Sequence, residues 1–251
     1  MKHTGRIILI VGILVGYSLA CQTAGEFLGG PTFAPTFSNG ASPAQPTNTF
    51  VSQPTNPAAP EETPEPTPMV VTDDFSNSES GWIRISTHDG GADYSDGGYS
   101  IAVQRPNQMY WATSGHEFTN VRVQVDAAFS SGETDNNFGV ICRYQNEGNF
   151  YAFVISSDGY FSIRKRMDGG PLQTIIGDKF QFSKHIQLGG QTNTLTAECA
   201  GNQLRMFVNG EKIAETTDGD LTNGDVGVVV GTFSASSTVI VFDNFFAGEI
   251  E

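Results

Sequence analysis

The chain has 251 residues, and its 27 acidic and 13 basic residues give a formal net charge of −14 at pH 7. Nucleic-acid affinity comes largely from Lys and Arg side chains that neutralise phosphates, so this balance argues against a nucleic-acid partner. Hydrophobic residues make up 38% of the chain, and they are distributed so unevenly that the chain divides into three segments.

The first segment is typical of an exported protein. Lys2 and Arg6 accompany an apolar run over 7–20, which is shorter than the ~20 residues of a membrane span, so 1–21 is predicted to be a signal peptide. Ser18-Leu19-Ala20-Cys21 resembles the lipobox of bacterial lipoproteins, although that family usually has Leu where Ser18 stands. An ordinary signal peptide is the alternative. We expect a lipid on Cys21 to hold the chain at the bacterial cell envelope, with the rest on the extracytoplasmic side.

The second segment, 22–68, is predicted to be a disordered linker. It holds 10 of the 12 prolines and is rich in Thr, Ser and Asn, with no Lys or Arg. Such a composition cannot bury enough apolar surface to offset the entropy of ordering the chain. We therefore expect a tether that keeps the third segment away from the membrane, which the protein contacts through its N-terminal lipid alone.

The third segment, 69–251, is predicted to be one all-β domain. Short runs rich in Val, Ile, Phe and Tyr recur between Gly, Asn and Asp residues, and nothing sustains a helical period. Many strands joined by dense turn signals predict an antiparallel sandwich or barrel.

Three dipeptides predict two-residue hairpin loops, because such turns need residues that tolerate positive φ: Asp158-Gly159, Gly201-Asn202 and Asn209-Gly210. The first would place Phe153 opposite Arg164 and Tyr151 opposite Arg166, and would put Phe150 and Val154 on the core side.

A three-residue loop at Asn146-Glu147-Gly148 would then place Arg143 opposite Tyr151. Arg143, Tyr151, Arg164 and Arg166 would share one face, outside the core. A change of one residue in that loop would turn the first of these strands over.

The cysteines of the third segment are predicted to face the core. The Gly201-Asn202 turn sets Cys199 opposite Leu204, and Cys142 falls on the core side of its own strand. Two such cysteines in an exported domain favour a Cys142–Cys199 disulfide over two separate buried thiols.

The third segment resembles the concanavalin A-like, or laminin G-like, jelly-roll domains, and among them bacterial extracellular domains named 3-keto-disaccharide hydrolases (keto-glucoside lyases and hydratases). The resemblance covers nearly all of 72–250 and is carried by these stretches: DDFSNSESGW (73–82), ADYSDGGYSI (92–101), FGVICRYQNEGNFYAFVISSDGYFSI (138–163), LRMFVNG (204–210), GDVGVVVGTF (224–233) and VFDNFFAGEI (241–250). It implies a two-sheet antiparallel jelly-roll sandwich with one bent sheet, on whose concave face relatives usually bind glycans.

The same residues favour binding over catalysis. Glycosidases of this fold carry carboxylates at alternating positions of one strand, and no Glu-x-Asp-x-Glu occurs here. Sugars stack on aromatic planes beside polar groups, so Arg143, Tyr151, Arg164, Arg166 and Trp111 are the candidate carbohydrate-binding residues. In the alternative interpretation, the arginine stems cover apolar residues while their charged heads pair with acids.

Three functions therefore stand: a non-catalytic, surface-anchored glycan-binding module, a keto-glycoside lyase or hydratase, and a structural envelope domain. A lyase would draw its base from His88, His116 or Asp126 and its oxyanion donor from Arg143 or Arg164. No cofactor is predicted.

A structural calcium remains open if the terminal strands pair. That pairing would bring Asp73 and Asp74 beside Asp243 and Asn244, although capping and solvation of the edge by polar side chains is the simpler expectation.

Overall fold

A computed structural model describes residues 67–95, 97–234 and 237–251. The predicted signal peptide, Cys21 and most of the predicted linker lie outside these residues. The described segments contain no helix that could cross a membrane. They form sixteen strands: β1 (Val70–Asp73), β2 (Ile85–Thr87), β3 (Gly90–Ser95), β4 (Gly98–Val103), β5 (Met109–Phe118), β6 (Val121–Gly132), β7 (Asn136–Asn146), β8 (Asn149–Ile155), β9 (Tyr160–Arg166), β10 (Gln173–Thr174), β11 (Gln181–Phe182), β12 (Asn193–Ala200), β13 (Gln203–Val208), β14 (Glu211–Thr217), β15 (Gly224–Thr232) and β16 (Thr238–Glu249).

The strands build two antiparallel sheets, which confirms the predicted all-β sandwich. The first sheet has nine strands in the order β14-β13-β12-β6-β16-β4-β3-β2, with β1 also paired to β16. The second has seven strands in the order β10-β9-β8-β7-β15-β5, with β11 also paired to β9. The face of the second sheet that is turned away from the first is called the outer face below.

The core lies between the two sheets because side chains alternate along each strand. On β6, Val121, Val123 and Val125 are fully buried while the intervening Arg122 is exposed. The same hydrophobic cluster takes Phe153 of the second sheet. Burying the alternate apolar residues of both sheets supplies the main driving force for folding.

The predicted disulfide is confirmed. Cys142 of β7 and Cys199 of β12 are bonded and fully buried, with their Cα atoms 6.8 Å apart. The bond joins the two sheets through the core. It closes a chain separation of 57 residues, for which the loop-entropy model gives a stabilisation of about 4 kcal/mol.

Two of the three predicted hairpins have the predicted register. Cys199 pairs with Leu204 across the Gly201-Asn202 turn. Val208 pairs with Glu211 across Asn209-Gly210, and both turn residues have positive φ, at 53° and 84°. Two-residue loops of this kind match the twist of their strands, so the dipeptide alone sets the register.

The register predicted at Asp158-Gly159 is wrong by one residue. The loop there has three residues, Ser157-Asp158-Gly159, closed by a hydrogen bond of 2.8 Å from the Ser156 amide to the Tyr160 carbonyl. Phe153 therefore pairs with Ile163, not with Arg164. Since the side-chain period is two, the shift turns all of β8 over.

The consequence is that β8 presents the opposite set of residues to the core. Tyr151, Phe153 and Ile155 point between the sheets, whereas Phe150 and Val154, predicted to face the core, lie on the outer face in a second small cluster.

Candidate ligand-binding groove

The structure divides the predicted binding residues between two sides of the second sheet. Arg143 lies where the β7–β8 pairing shifts register, with φ of 53° and an exposure of only 1%. Its Nη1 donates to the Leu221 carbonyl at 2.7 Å and its Nη2 to the Thr119 carbonyl at 3.3 Å. The prediction that Arg143 is accessible to a ligand is therefore wrong.

Tyr151 is also interior. Its side chain is fully buried, and its hydroxyl donates to Asp218 at 2.5 Å while accepting from the Leu221 amide at 3.2 Å. Burial raises the pKa of Tyr151 to about 12, and the hydrogen bond to Asp218 acts in the same direction. The predicted common face for Arg143, Tyr151, Arg164 and Arg166 is wrong, because it assumed the two-residue loop at Asp158-Gly159.

Lys165 completes what is called the interior cluster: Arg143, Tyr151, Lys165 and Asp218. The Lys165 ammonium contacts both Asp218 and Asp220. Burial alone would lower the pKa of Lys165, but the two carboxylates outweigh it and raise that pKa. Burial would likewise raise the pKa of Asp218, and the hydrogen bonds from Lys165 and Tyr151 instead hold it below its usual value. The cluster fixes the loop between β14 and β15.

The other three predicted residues lie on the outer face. Arg164 donates to the Leu172 carbonyl at 2.9 Å and stacks 5.5 Å from the centre of the Phe180 ring, and burial lowers its pKa. Arg166 donates to the Gly170 carbonyl at 3.0 Å. The ring of Trp111 lies 5.9 Å from that of Phe150. The alternative interpretation of the arginines describes Arg164 best, although its head binds a carbonyl and not an acid. A ligand role for Trp111, Arg164 and Arg166 stays a prediction.

A groove of about 360 Å³ opens at one end of the outer face. Four separate stretches supply its walls: the β6–β7 loop, the β8–β9 hairpin, the segment before β11 and the segment after β15. Its lining combines three aromatic rings with two carboxylates, a lysine and a serine hydroxyl: Asp135, Ser156, Asp158, Tyr160, Lys179, Phe180 and Phe233.

One buried side chain fixes the two loops that carry the carboxylates. The Asn136 amide nitrogen donates to the Glu133 carbonyl at 2.9 Å and to the Ser157 hydroxyl at 3.0 Å. Its oxygen accepts the Ser157 amide at 3.0 Å. Asn136 is fully buried, so Asp135 beside it is held in place relative to Asp158.

The aromatic wall of the groove follows from the short strand β11. Phe182 lies directly opposite Tyr160 in the β11–β9 pairing, and the two rings are 5.8 Å apart at 74°. Phe180, two residues earlier, packs edge-on against Phe233 with the ring centres 5.4 Å apart. Edge-to-face pairs at these distances are favourable, so the wall is built before any ligand arrives.

A buried polar atom in the strand that begins beside the groove has no partner among the described residues. Asn137 is 2% exposed, and no described residue donates to its Oδ1. Asn137 pairs with Gly231 on β15, and Phe233 follows two residues later in the chain. The next residue, Phe138, pairs with Ile155, which directly precedes Ser156. Asn137 therefore lies in the same part of the sheet as the groove but outside its lining, and its buried amide oxygen is suited to a donor from a water molecule.

The residues named for a lyase do not converge. Arg143 is interior, Arg164 is on the outer face, and Asp126 belongs to the first sheet, where its carboxylate accepts from Thr194 and Asn244. His88 and His116 are exposed. A base and an oxyanion donor for one substrate are not assembled from this set.

The terminal strands pair as the calcium hypothesis required, with Asp73 opposite Phe245. However, the Asp73 carboxylate accepts from the Trp82 indole at 2.9 Å and from the Phe75 amide at 2.8 Å. Asp74 accepts from Ser76. Over the described residues no group of three or more His, Cys, Asp or Glu could hold a metal ion. The carboxylates thus act as turn and indole acceptors, as the simpler expectation had it.

No protein-family model matches the chain, and no curated protein is significantly similar to it. Its fold resembles that of carbohydrate binding module CBM66 from Bacillus subtilis, with a TM-score of 0.53 and 15% identity over 66% of this chain and 94% of that one. The GlcNAcα1-4Gal-releasing endo-β-galactosidase from Clostridium perfringens has a TM-score of 0.52 and 8% identity over 72% and 62%. The GH43 protein BlXynB from Bacillus licheniformis has a TM-score of 0.51 and 15% identity over 70% of this chain and 38% of that one. At these identities the likeness establishes the sandwich fold alone.

Proposed function

We propose that this protein is a non-catalytic glycan-binding module whose ligand occupies the groove. The observation that carries the proposal is the combination of aromatic rings with carboxylate, hydroxyl and ammonium groups in a single concavity. Ligand sites are mostly apolar hollows of ~300–1,000 Å³ with a few polar groups that fix orientation. The groove has both properties, and its fold is shared with a structure named as a carbohydrate binding module.

Sugars suit this arrangement because one face of the ring carries C–H groups and its rim carries hydroxyls. Tyr160 and Phe180 offer aromatic surface to the C–H face. Asp135 and Asp158 accept from hydroxyls, and Lys179 donates to them.

Binding without cleavage is favoured by where the carboxylates lie. A glycosidase places two carboxyl groups on either side of one bond, and typically buries the one that acts as acid. Asp135 and Asp158 are both exposed, and the Ser156 hydroxyl already donates to Asp158. We assign both to the recognition of hydroxyls.

The proposal includes the anchor expected from the first segment of the chain. A lipid on Cys21 would retain the protein at the cell envelope, and residues 22–68 would act as the spacer between the membrane and the sandwich. Labelling with a radioactive fatty acid tests this part, since Cys21→Ser should abolish incorporation and release the chain from the membrane fraction.

The binding part is tested with the full-length chain on a glycan array and by affinity electrophoresis in xylan, galactan, mannan and dextran. Phe180→Ala should weaken binding to whichever glycan is retained by about tenfold, the effect of ~1.4 kcal/mol. Phe207→Ala is the matched control, because Phe207 is a half-buried aromatic residue of the first sheet. Equal loss in both variants, or no binding to any glycan, would refute the groove as a glycan site. Turnover of a bound glycan or of 3-keto-glucosides would show that the protein is an enzyme and not a non-catalytic binding module.

A further inference from the structure

Beyond the groove, three large apolar side chains form an exposed patch at the tip of the β8–β9 hairpin. Tyr160 is 42% exposed, Phe182 61% and Leu188 52%. A Cβ atom built on Gly159 would lie 2.9 Å from the Phe182 ring and 3.0 Å from the Leu188 side chain, so both flank the same point of the hairpin. The name "hairpin platform" is used below for Tyr160, Phe182 and Leu188.

The hairpin platform is continuous with the groove. Tyr160 belongs to both, and Phe182 lies opposite it on the neighbouring strand, hence on the same face of the sheet. Phe180 and Phe182 are two residues apart and so also share that face. One aromatic row therefore runs from Phe233 and Phe180 inside the groove to Tyr160 and Phe182 outside it.

We propose that the hairpin platform is a second subsite, and that the ligand is a neutral oligosaccharide or polysaccharide long enough to span groove and platform. This inference rests on the proposed glycan-binding function. A single sugar would occupy the groove, where the polar groups are concentrated. The next residues of the chain would leave the groove over Tyr160 and stack on Phe182.

The charges around the platform favour a neutral glycan over an anionic one or an anionic membrane. The exposed acids Asp135, Asp158 and Asp178 outnumber the lysines Lys179 and Lys184. Carboxylates at this density would repel phosphate or carboxylate groups brought to the same surface. A neutral sugar instead gains hydroxyl acceptors from them.

The size of the platform argues against a protein partner. A specific protein–protein interface buries ~800 Å² on each partner and engages 20–30 residues. The platform has only three exposed apolar side chains, far fewer residues than such an interface engages. A sugar ring needs one aromatic face and a few hydrogen bonds, which this surface supplies.

The platform also depends on the glycine beneath it. Gly159 has φ of 100°, and any side chain there would collide with Phe182 and Leu188. Gly159→Ala should therefore displace Phe182 and Leu188, and it also strains the loop between Asp158 and Tyr160, which both line the groove.

The test measures affinity against chain length. The full-length chain is titrated calorimetrically with an oligosaccharide ladder, from monosaccharide upwards, of the polymer it retains best in electrophoresis. We expect affinity to rise with length. Phe182→Ala should reduce it about three- to tenfold for the longer members and leave the monosaccharide unchanged. Ile83→Ala is the control, because Ile83 is 49% exposed and lies outside the groove and the platform.

Each outcome of the titration decides something. Monosaccharide binding with no gain on lengthening, or a length dependence that Phe182→Ala leaves intact, overturns the second subsite and keeps the groove. No binding at any length refutes the proposed function and the second subsite with it. If the protein cosediments with phosphatidylcholine–phosphatidylglycerol vesicles and Phe182→Ala does not, the platform binds a membrane. If the protein dimerises and Phe182→Ala does not, the platform binds a second copy of the chain.

Discussion

The interior cluster and the groove contain the same kinds of residue in different roles. Both combine a tyrosine and a lysine with aspartates: Tyr151 and Lys165 with Asp218 in the cluster, and Tyr160 and Lys179 with Asp135 and Asp158 in the groove. In the cluster the polar groups meet one another or the backbone: Arg143 holds two carbonyls through its two Nη atoms, and Lys165 and Tyr151 both meet Asp218, although no described residue pairs with the buried Arg143 Nε. In the groove, Lys179 is exposed and makes no ion pair with any described residue.

Residue type therefore does not distinguish the two sites, whereas exposure does, and this is why the proposed ligand is assigned to the groove. Polar networks whose members pair with one another in the interior make the native state more rigid and leave little capacity for a ligand. The interior cluster should therefore control stability and leave binding unchanged, and the groove should do the reverse.

The largest expected effect is that of Arg143→Ala. It leaves the buried Leu221 carbonyl without its donor and removes a second, part-buried hydrogen bond to Thr119, so we expect a loss of about 3 kcal/mol in the free energy of unfolding. Arg84→Ala is the control, since the Arg84–Asp93 pair is exposed to solvent and its loss should change the free energy of unfolding far less. Urea denaturation measures both. A loss of glycan affinity at full stability would show instead that Arg143 contacts the ligand.

Asp218→Asn should lower the free energy of unfolding by about 2 kcal/mol, because Lys165 loses the less exposed of its two carboxylate partners and Tyr151 loses a charged acceptor. The pKa of Asp218 is depressed in the folded state, so its contribution is present above the unfolded value of about 4 and disappears as pH falls through the lower folded value. The difference in stability between wild type and variant should be constant between about pH 5 and 8 and shrink below about pH 4. A difference that grows on acidification would contradict this assignment.

Asp158→Asn should weaken glycan binding by about tenfold, since it exchanges a charged acceptor for a neutral one at an exposed site. Its unfolding free energy should stay within about 0.5 kcal/mol of the wild type. Calorimetric titration and urea denaturation of the same sample separate the two effects. Glu211→Gln, which changes an exposed acid of the first sheet, should bind as the wild type does.

Lys179→Met should have the smallest effect, about two- to threefold in affinity, because an exposed ammonium gains little from a neutral sugar. Raising the salt concentration should not change the binding constant of the wild type for a neutral glycan. A steep salt dependence would indicate an anionic ligand and would contradict the preference for a neutral glycan inferred from the surface charges.

The sequence predicted the parts of the fold that depend on local turns. Gly201-Asn202 and Asn209-Gly210 each form a two-residue loop, and each loop fixes how the two strands of its hairpin pair. The core-facing position of Cys199 followed from the first loop. Asp158-Gly159 misled because the same dipeptide also closes a three-residue loop, in which Ser157 is the added residue. One residue of loop length decided the face of Tyr151.

The candidate site depends on contacts that no local pattern encodes. The Leu221 carbonyl that binds Arg143 is 78 residues away, and the groove draws on four stretches between Asp135 and Phe233. The available signal was Lys179-Phe180-Gln181-Phe182, in which two aromatic residues alternate within a polar segment. Alternation predicts a short strand with both rings on one face, but not what lies opposite them.

The pairing of β1 with β16 has a mechanical consequence. β16 runs from Thr238, which contacts Asn136 beside the groove, to Glu249 at the other end of the strand, about 36 Å away. The described chain enters at that far end, where Val70 pairs with Gly248. A pull between a bound ligand and the residues before Val70 would run along the strands. It would load the β1–β16 hydrogen bonds together in shear, a geometry that resists force better than peeling them apart in succession.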